Sequence, residues 1–149
     1  MLIRQMTARD VDRVYEIACR SLDEYYTKEV FYFLIDGWPS GQLVAVNMIG
    51  NIMGFISGAR LTRDKTTVSL LAVDDMYRGV GAGSGLLREF GLRTSMDGKQ
   101  HIQLEVRSTN ADVISFYRKR GFVVTEYIKG FYNNGGDAVR MVCSVRANS

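Results

Sequence analysis

The stretch from Val68 to Leu87, VSLLAVDDMYRGVGAGSGLL, constrains this chain more than any other. It opens on an unbroken apolar run, Leu70 to Val73, short enough for a strand buried on both faces. It turns through Arg78-Gly79-Val80-Gly81-Ala82-Gly83-Ser84-Gly85 and continues into Leu86, Leu87 and Phe90 at helical spacing. A strand that feeds a helix through glycines leaves several backbone N–H groups without intrahelical partners, all at the positive end of the helix dipole. That makes a seat for phosphate. Arg78 at its lip adds a charged donor that reaches the same anion.

Rival glycine motifs do not fit. In the dinucleotide fingerprint G-x-G-x-x-G, a start at Gly79 and Gly81 puts Ser84 third, and a start at Gly81 and Gly83 puts Leu86 there. No acidic residue stands near Lys99 or Gln100, about 20 residues on, to hold a ribose. No Gly-Lys-Ser/Thr follows either, which removes the Walker pattern.

With 149 residues, the chain is expected to form one domain, 1–149, with a core that needs no disulfide or metal staple. A net charge of +3 with scattered Lys and Arg argues against nucleic acid and suits an anionic small ligand. Cys19 and Cys143 lie far apart, without a C-x-x-C or His partner, and read as buried structural thiols of a reducing compartment. His101 is the only histidine, which argues against a zinc site and against a Ser-His or Cys-His nucleophile; no metal is expected. There is no charged-then-apolar leader and no apolar span of about 18 residues. No membrane association is expected, and the chain reads as cytoplasmic.

In order, Leu2 to Gln5 reads as a strand. Thr7 with Asp10 resembles a capping box, followed by an amphipathic helix to Arg20 through Val11, Val14, Tyr15 and Ala18. Lys28 to Asp36 is an aromatic-rich helix ended by Gly37-Trp38-Pro39. Leu43 to Met48 and Ile52 to Leu61 are strands joined by a two-residue Gly50-Asn51 turn, and Thr66 to Asp74 is the next strand. The glycine loop leads into a helix to Met96, broken by Asp97-Gly98. Ile102 to Arg107 alternates, with Gln103, Glu105 and Arg107 on one face. Asn110 caps a helix to Arg120 that Gly121 stops, and Phe122 to Tyr132 with Ala138 to Val145 form a hairpin. The order β-α-α-β-β-β-α-β-α-β-β predicts an α/β sandwich. Its mixed central sheet of about seven strands is mostly antiparallel, with one parallel junction near the glycine loop and four flanking helices.

Two of these stretches together identify a family resemblance. Arg-x-x-Gly-x-Gly at Arg78 to Gly83 resembles the acetyl-CoA pyrophosphate loop of the GNAT N-acetyltransferase superfamily. Leu104-Glu105-Val106-Arg107 followed by Asn110 and then Phe116-Tyr117-x-x-x-Gly121-Phe122 resembles its cofactor strand and helix. Glu105 with Tyr117 looks like the RimI branch. Glu24-Tyr25-Tyr26, Phe31-Tyr32-Phe33 and Gly37-Trp38-Pro39 look like the substrate-side helices of the NatA catalytic subunit and its archaeal relatives. Gly130 to Ala138 matches their β-hairpin tip with Tyr132 kept and the loop altered.

The resemblance implies a GNAT fold and direct transfer of acetyl from acetyl-CoA to the α-amine of protein N-termini, including ribosomal or nascent chains, by a monomer or weak dimer. It implies that Leu71, Ala72 and Val73 hold pantetheine by their main chain. Arg78, Gly79, Val80, Gly81, Ala82, Gly83 and Ser84 would hold the pyrophosphate, and Asn110 the pantetheine arm. Tyr117 would protonate the departing thiolate. Glu105 is the expected base and Glu24 a second candidate; Glu24, Tyr25, Tyr26 and Tyr132 are expected at the peptide entrance. A small-amine acetyltransferase, for a polyamine or drug, and a non-catalytic acyl-CoA-binding module are the alternatives. The first would want an acidic pocket, and the second would be expected to lack Glu105 and Tyr117.

Overall fold

Helical spacing and strand alternation resolve into elements close to where the residues place them. The computed structural model describes residues 1–22, 24 and 26–145. They form β1 (Leu2–Gln5), α1 (Val11–Ser21), α2 (Lys28–Gly37), β2 (Leu43–Val46), β3 (Ile52–Arg60), β4 (Lys65–Val73), α3 (Ala82–Met96), β5 (His101–Arg107), α4 (Ala111–Arg118), β6 (Val123–Ile128) and β7 (Ala138–Ser144). The sheet order is β1-β2-β3-β4-β5-β7-β6. Only β4 and β5 run parallel; every other pairing is antiparallel.

The helices cover the sheet in two pairs. α1 and α2 pack Val14, Ile17, Phe31 and Leu34 on Val44, Phe55, Leu70 and Ala72. Phe31 meets Phe55 edge-on, ring centroids 5.6 Å apart. On the other face, Leu86, Phe90 and Tyr117 of α3 and α4 pack on Leu43, Ile56, Val68, Ile102, Leu104 and Val106. Each such fully buried aliphatic or aromatic side chain contributes about 1.5–3 kcal/mol.

A bulge in β4 sets up the centre of the molecule. Ser57 pairs with Leu70 but Gly58 pairs with Val68, so Ser69 is the extra residue. The extra residue reverses the faces. Val68 lies on the α3–α4 side, Leu70 and Ala72 join the α1–α2 side, and Leu71 and Val73 return to the α3–α4 side. This is how the run Leu70 to Val73 comes to be covered on both faces. The parallel pairing of β4 with β5 ends just before the bulge, at Lys65–His101, Thr66–Ile102 and Thr67–Gln103. Beyond Thr67 the two strands part, and a wedge opens through the sheet.

The structure corrects several expectations. Thr7 and Asp10 do form the expected capping box, but on a 3-10 turn, Ala8–Asp10, that precedes α1; the Asp10 carboxylate accepts the Thr7 N–H at 2.8 Å and is gripped by Arg4 at 2.8 and 3.0 Å. The turn between β2 and β3 is wider than Gly50-Asn51. Asn47 closes it, its Oδ1 accepting the N–H of Ile49 and Asn51, because a short amide side chain can replace the last strand pairs. β6 ends at Ile128 rather than Tyr132, since Gly130 N–H donates to the Asp137 carboxylate instead of to a strand. Cys19 is exposed and Cys143 half-buried, both as free thiols, so the reading of two buried cysteines fails for Cys19. Trp38 is only 1% exposed and packs edge-on against Phe90, so its side chain belongs to the core. Among the described residues no helix is long and apolar enough to cross a membrane.

Candidate active site

The loop between β4 and α3 is built as an anion seat. Asp74 caps a 3-10 turn over Asp75–Tyr77 by accepting the Met76 N–H at 2.9 Å. Its other oxygen takes Arg13 Nη2 at 2.7 Å, and Arg13 also donates to the Ile52 carbonyl at 3.1 Å. One guanidinium thus ties α1, β3 and the end of β4 together. The Met76 amide and then Arg13 hold the Asp74 carboxyl below the ordinary carboxylate range. Gly79 and Gly81 take φ of +83° and +86°, a left-handed backbone that side chains rarely adopt. Gly81 is the N-cap of α3, and no acidic residue occupies the first turn of that helix. The N–H groups of Ala82, Gly83 and Ser84 therefore lack intrahelical acceptors at the positive end of a long helix. Arg78 stands exposed at the rim, paired with Asp75 at 2.9 Å.

The wedge begins beside this seat. The Asp74 N–H donates to the Met53 carbonyl at 2.8 Å, toward β3. By strand alternation the Val73 and Leu71 N–H groups face the opposite way, toward β5, which does not pair there. An added Cβ on Gly83 would lie 3.6 Å from Phe116 and 3.7 Å from Val73, so the loop, α4 and the end of β4 converge at one point. Asn110 caps α4, its Oδ1 accepting the Val113 N–H at 3.3 Å. Tyr117 sits between Phe116 and Phe122, both edge-on, and is 7% exposed. Burial pushes its phenol well above the ordinary tyrosine range. Among the described residues its hydroxyl has no hydrogen-bond partner.

The opposite face of β5 carries a different set of groups. Glu105 Oε2 accepts Arg140 Nε at 2.8 Å and Gln103 Nε2 at 3.1 Å, while Arg140 also pairs with Glu126 at 2.8 Å. Glu105 does not pair with Arg107, its neighbour on the same strand face. Arg107 pairs instead with Glu24, lies 4.1 Å over the Tyr132 ring and donates to Asn134 at 3.3 Å. The Tyr132 loop closes on itself through Tyr132 N–H to the Gly136 carbonyl at 3.0 Å. A Cβ on Gly136 would stand 2.5 Å from Arg107 Nη1, so a larger residue there would make the guanidinium shift. Tyr26 is half-buried against the α1–α2 cluster. Tyr25 lies outside the described residues.

Of the residues singled out in the sequence, the structure gathers Leu71 to Val73, Arg78 to Ser84 and Tyr117 around the wedge, with Asn110 capping the helix that carries Tyr117. It gathers Glu24 and Tyr132 on the other side, with Glu105 on the same strand face as Arg107. Sequence reading missed Arg13, Asp74, Arg107 and Arg140 as the groups that hold these in place. Arg107 stood inside the quoted Leu-Glu-Val-Arg motif; the pairings Arg13–Asp74 and Arg140–Glu105 carry no local signal, because they span 61 and 35 residues. No three His, Cys, Asp or Glu residues cluster as metal ligands among the described residues.

Comparison with known proteins matches residues 11–145 to the acetyltransferase (GNAT) domain profile. The chain belongs to the GNAT acetyltransferase family. Within it, an N-alpha-acetyltransferase of Sulfolobus acidocaldarius is 30% identical over 155 aligned positions, covering 93% of this chain and 89% of its own. A Bacillus subtilis GNAT relative, provisionally named a ribosomal protein bS18-alanine N-acetyltransferase, is 29% identical over 140 residues, 93% of this chain and 92% of its own. The crystal structure of Ard1 from Thermoplasma volcanium superposes with a TM-score of 0.92 at 34% identity, over 97% of each chain. The α/β GNAT fold with its seven-stranded mixed sheet and four flanking helices is thus the fold of this enzyme family, as the sequence led us to expect.

Proposed function

We propose that this GNAT protein is a protein N-terminal acetyltransferase that transfers acetyl directly from acetyl-CoA to an α-amine. The observation that carries the reading is the wedge between β4 and β5, with an anion seat on one face of the sheet and the Glu24–Arg107–Tyr132 cluster on the other. Two substrates can approach one opening from opposite sides, which is what a reaction without a covalent enzyme intermediate needs.

In this reading the amides from Gly79 to Ser84, with Val80 and Arg78 at the rim, take the pyrophosphate. Leu71, Ala72 and Val73 hold the pantetheine arm by their main chain, with Asn110 beside it. The amine nitrogen attacks the acetyl carbonyl carbon, and the Val73 N–H stabilises the oxyanion that forms. The C–S bond then breaks and the thiolate takes the Tyr117 proton. Burial suits Tyr117 to this, because it keeps the phenol neutral until a thiolate appears beside it. The α-amine has a pKa of about 7.7–8.0, so a carboxylate reached through a water suffices to take its proton. Glu105 keeps one carboxylate oxygen clear of Arg140 and Gln103 for this role; Glu24 is the second candidate. Tyr26, Tyr25 and Tyr132 wall the peptide entrance, and the substrates are ribosomal or nascent chains in the cytoplasm.

A polyamine acetyltransferase is disfavoured by the same geometry. Glu24 is held by Arg107 and Glu105 by Arg140, so the face presents no surplus negative charge to a small polycation. A non-catalytic acyl-CoA module is disfavoured by the retention of Glu105 and Tyr117. The test is CoA release with acetyl-CoA and short peptides that differ at residue one, alongside spermidine and free lysine. Turnover on Ser-, Ala- or Met-initiated peptides and not on spermidine is expected; turnover on spermidine alone refutes the reading, and tight acetyl-CoA binding without any turnover supports the module.

A further inference from the structure

Glu105, Arg140 and Glu126 stand directly opposite one another on β5, β7 and β6, in one row across three strands. A bulge in β6 completes the row. Val124 pairs with Met141 and Glu126 with Arg140, so Thr125 is the extra residue and Glu126 is turned onto the face of Glu105. Leu104 and Met141, on the other face, belong to the core under α3 and α4.

One guanidinium joins the three. Arg140 Nε donates to Glu105 Oε2 at 2.8 Å, and its Nη1 donates to Glu126 Oε1 at 2.8 Å. Gln103, two residues along β5, donates its Nε2 to the same Glu105 oxygen at 3.1 Å. Both donors therefore converge on Oε2, and among the described residues none reaches Oε1. Stability is a poor reason for this arrangement. All three charged side chains are partly exposed, Glu126 the most, and ion pairs so open to water contribute little. Packing does not hold the carboxylate in place either. A groove of about 370 Å³ opens over this part of the sheet, lined by Gln103, Thr125 and Arg140. On such a face a long, flexible glutamate would spread over several rotamers unless a fixed donor selected one.

A base must lie within about 2.6–3.2 Å of the group it deprotonates, or of one bridging water, so its rotamer decides its usefulness. Resting on Glu105 as the base that takes the amine proton, we infer that Arg140, assisted by Gln103, is a positioning residue of the transfer: together they anchor Oε2 so that Oε1 is presented to the amine or its water. Glu126 steadies the far side of the guanidinium. Arg140 touches no reacting atom; it acts through Glu105.

Initial rates on a Ser-initiated peptide, with calorimetric titration of acetyl-CoA, test this in the full chain. Arg140→Gln should lower kcat by about 10- to 100-fold, the cost of a misplaced reacting group, and leave acetyl-CoA affinity unchanged. Arg140→Lys should recover part of that loss, because an ammonium still attracts the carboxylate but lacks the fixed guanidinium geometry. Gln103→Met, of similar shape, should lose less, since its amide carries no charge; it repeats the comparison with both ion pairs intact. Glu126→Gln should cost less than about fivefold, as exposed pairs do. In a Glu105→Gln background, Arg140→Gln should cost nothing further, because the group it positions is gone. Equal losses from Arg140→Gln in both backgrounds, matched by lower urea stability, would make Arg140 structural and overturn the inference. Glu105→Gln slowed while Arg140→Gln and Gln103→Met keep the wild-type kcat overturns the inference alone. Glu105→Gln at the wild-type rate overturns the assignment of the base, and a wild-type protein that turns over no peptide overturns the acetyltransferase reading; either takes this inference with it.

Discussion

Replacing Tyr117 by phenylalanine separates chemistry from packing, because the two roles predict opposite signs. The ring is held by edge-on contacts to Phe116 at 5.2 Å and Phe122 at 5.3 Å, and phenylalanine keeps both. The hydroxyl has no protein partner among the described residues, so its removal breaks no hydrogen bond. An unsatisfied buried polar group costs about 1–3 kcal/mol. At 7% exposure Tyr117 is not fully sealed from solvent, so Tyr117→Phe should return between zero and about 1 kcal/mol. For a chain of this length that is a melting temperature unchanged or raised by at most about 4 °C. Turnover should instead fall by about 10²–10⁴-fold, the usual contribution of a positioned proton donor, with little change in acetyl-CoA affinity. Burial favours the neutral phenol, so wild-type stability should be independent of this group below pH about 10 and fall as pH rises past it. The variant should lack that alkaline limb. Thermal melts across pH with CoA-release kinetics on the same preparations give the answer. A lowered melting temperature with proportionate loss of turnover would make Tyr117 a packing residue, and an unaltered rate would remove it from the mechanism.

Three further outcomes follow from the same geometry. Trp38→Ala should cost about 3–5 kcal/mol in urea unfolding, as expected of a core aromatic, and a variant of unchanged stability would refute that placement. Asp74→Asn should cost about 1–3 kcal/mol at neutral pH by breaking the contact with Arg13. Because the folded carboxyl titrates below its unfolded value of about 3.9, this stability is present above that pH and fades as pH falls, so the variant's acid unfolding curve should be flatter. Gly81→Val should cost about 1–2 kcal/mol from the left-handed φ and raise the KM for acetyl-CoA, with chemical denaturation and initial rates as the two readouts.

Much of the fold was legible because it is written in local signals. Glycines at Gly79 and Gly81, the Asn110 cap and the alternation of β5 fixed the loop, α4 and the face of Glu105. The bulge at Ser69 was not legible. Nothing in Val68-Ser69-Leu70 marks which residue is extra; the register with Ser57 and Gly58 decides it. Yet that bulge reverses the faces of β4 beside the wedge. Site residues divided the same way. The candidates Glu24, Glu105 and Tyr132 are picked out by motif, whereas their partners Arg140 and Arg107 come from pairings across the sheet and between loops.

The central claim is that the acetyl group goes to a peptide α-amine. Incubation with acetyl-CoA and a Ser-initiated peptide that also contains an internal lysine, followed by fragmentation mass spectrometry, tests it most directly. The account predicts acetyl on the N-terminal residue and none on the lysine. Acetyl on the lysine ε-amine with the N-terminus left free would contradict it.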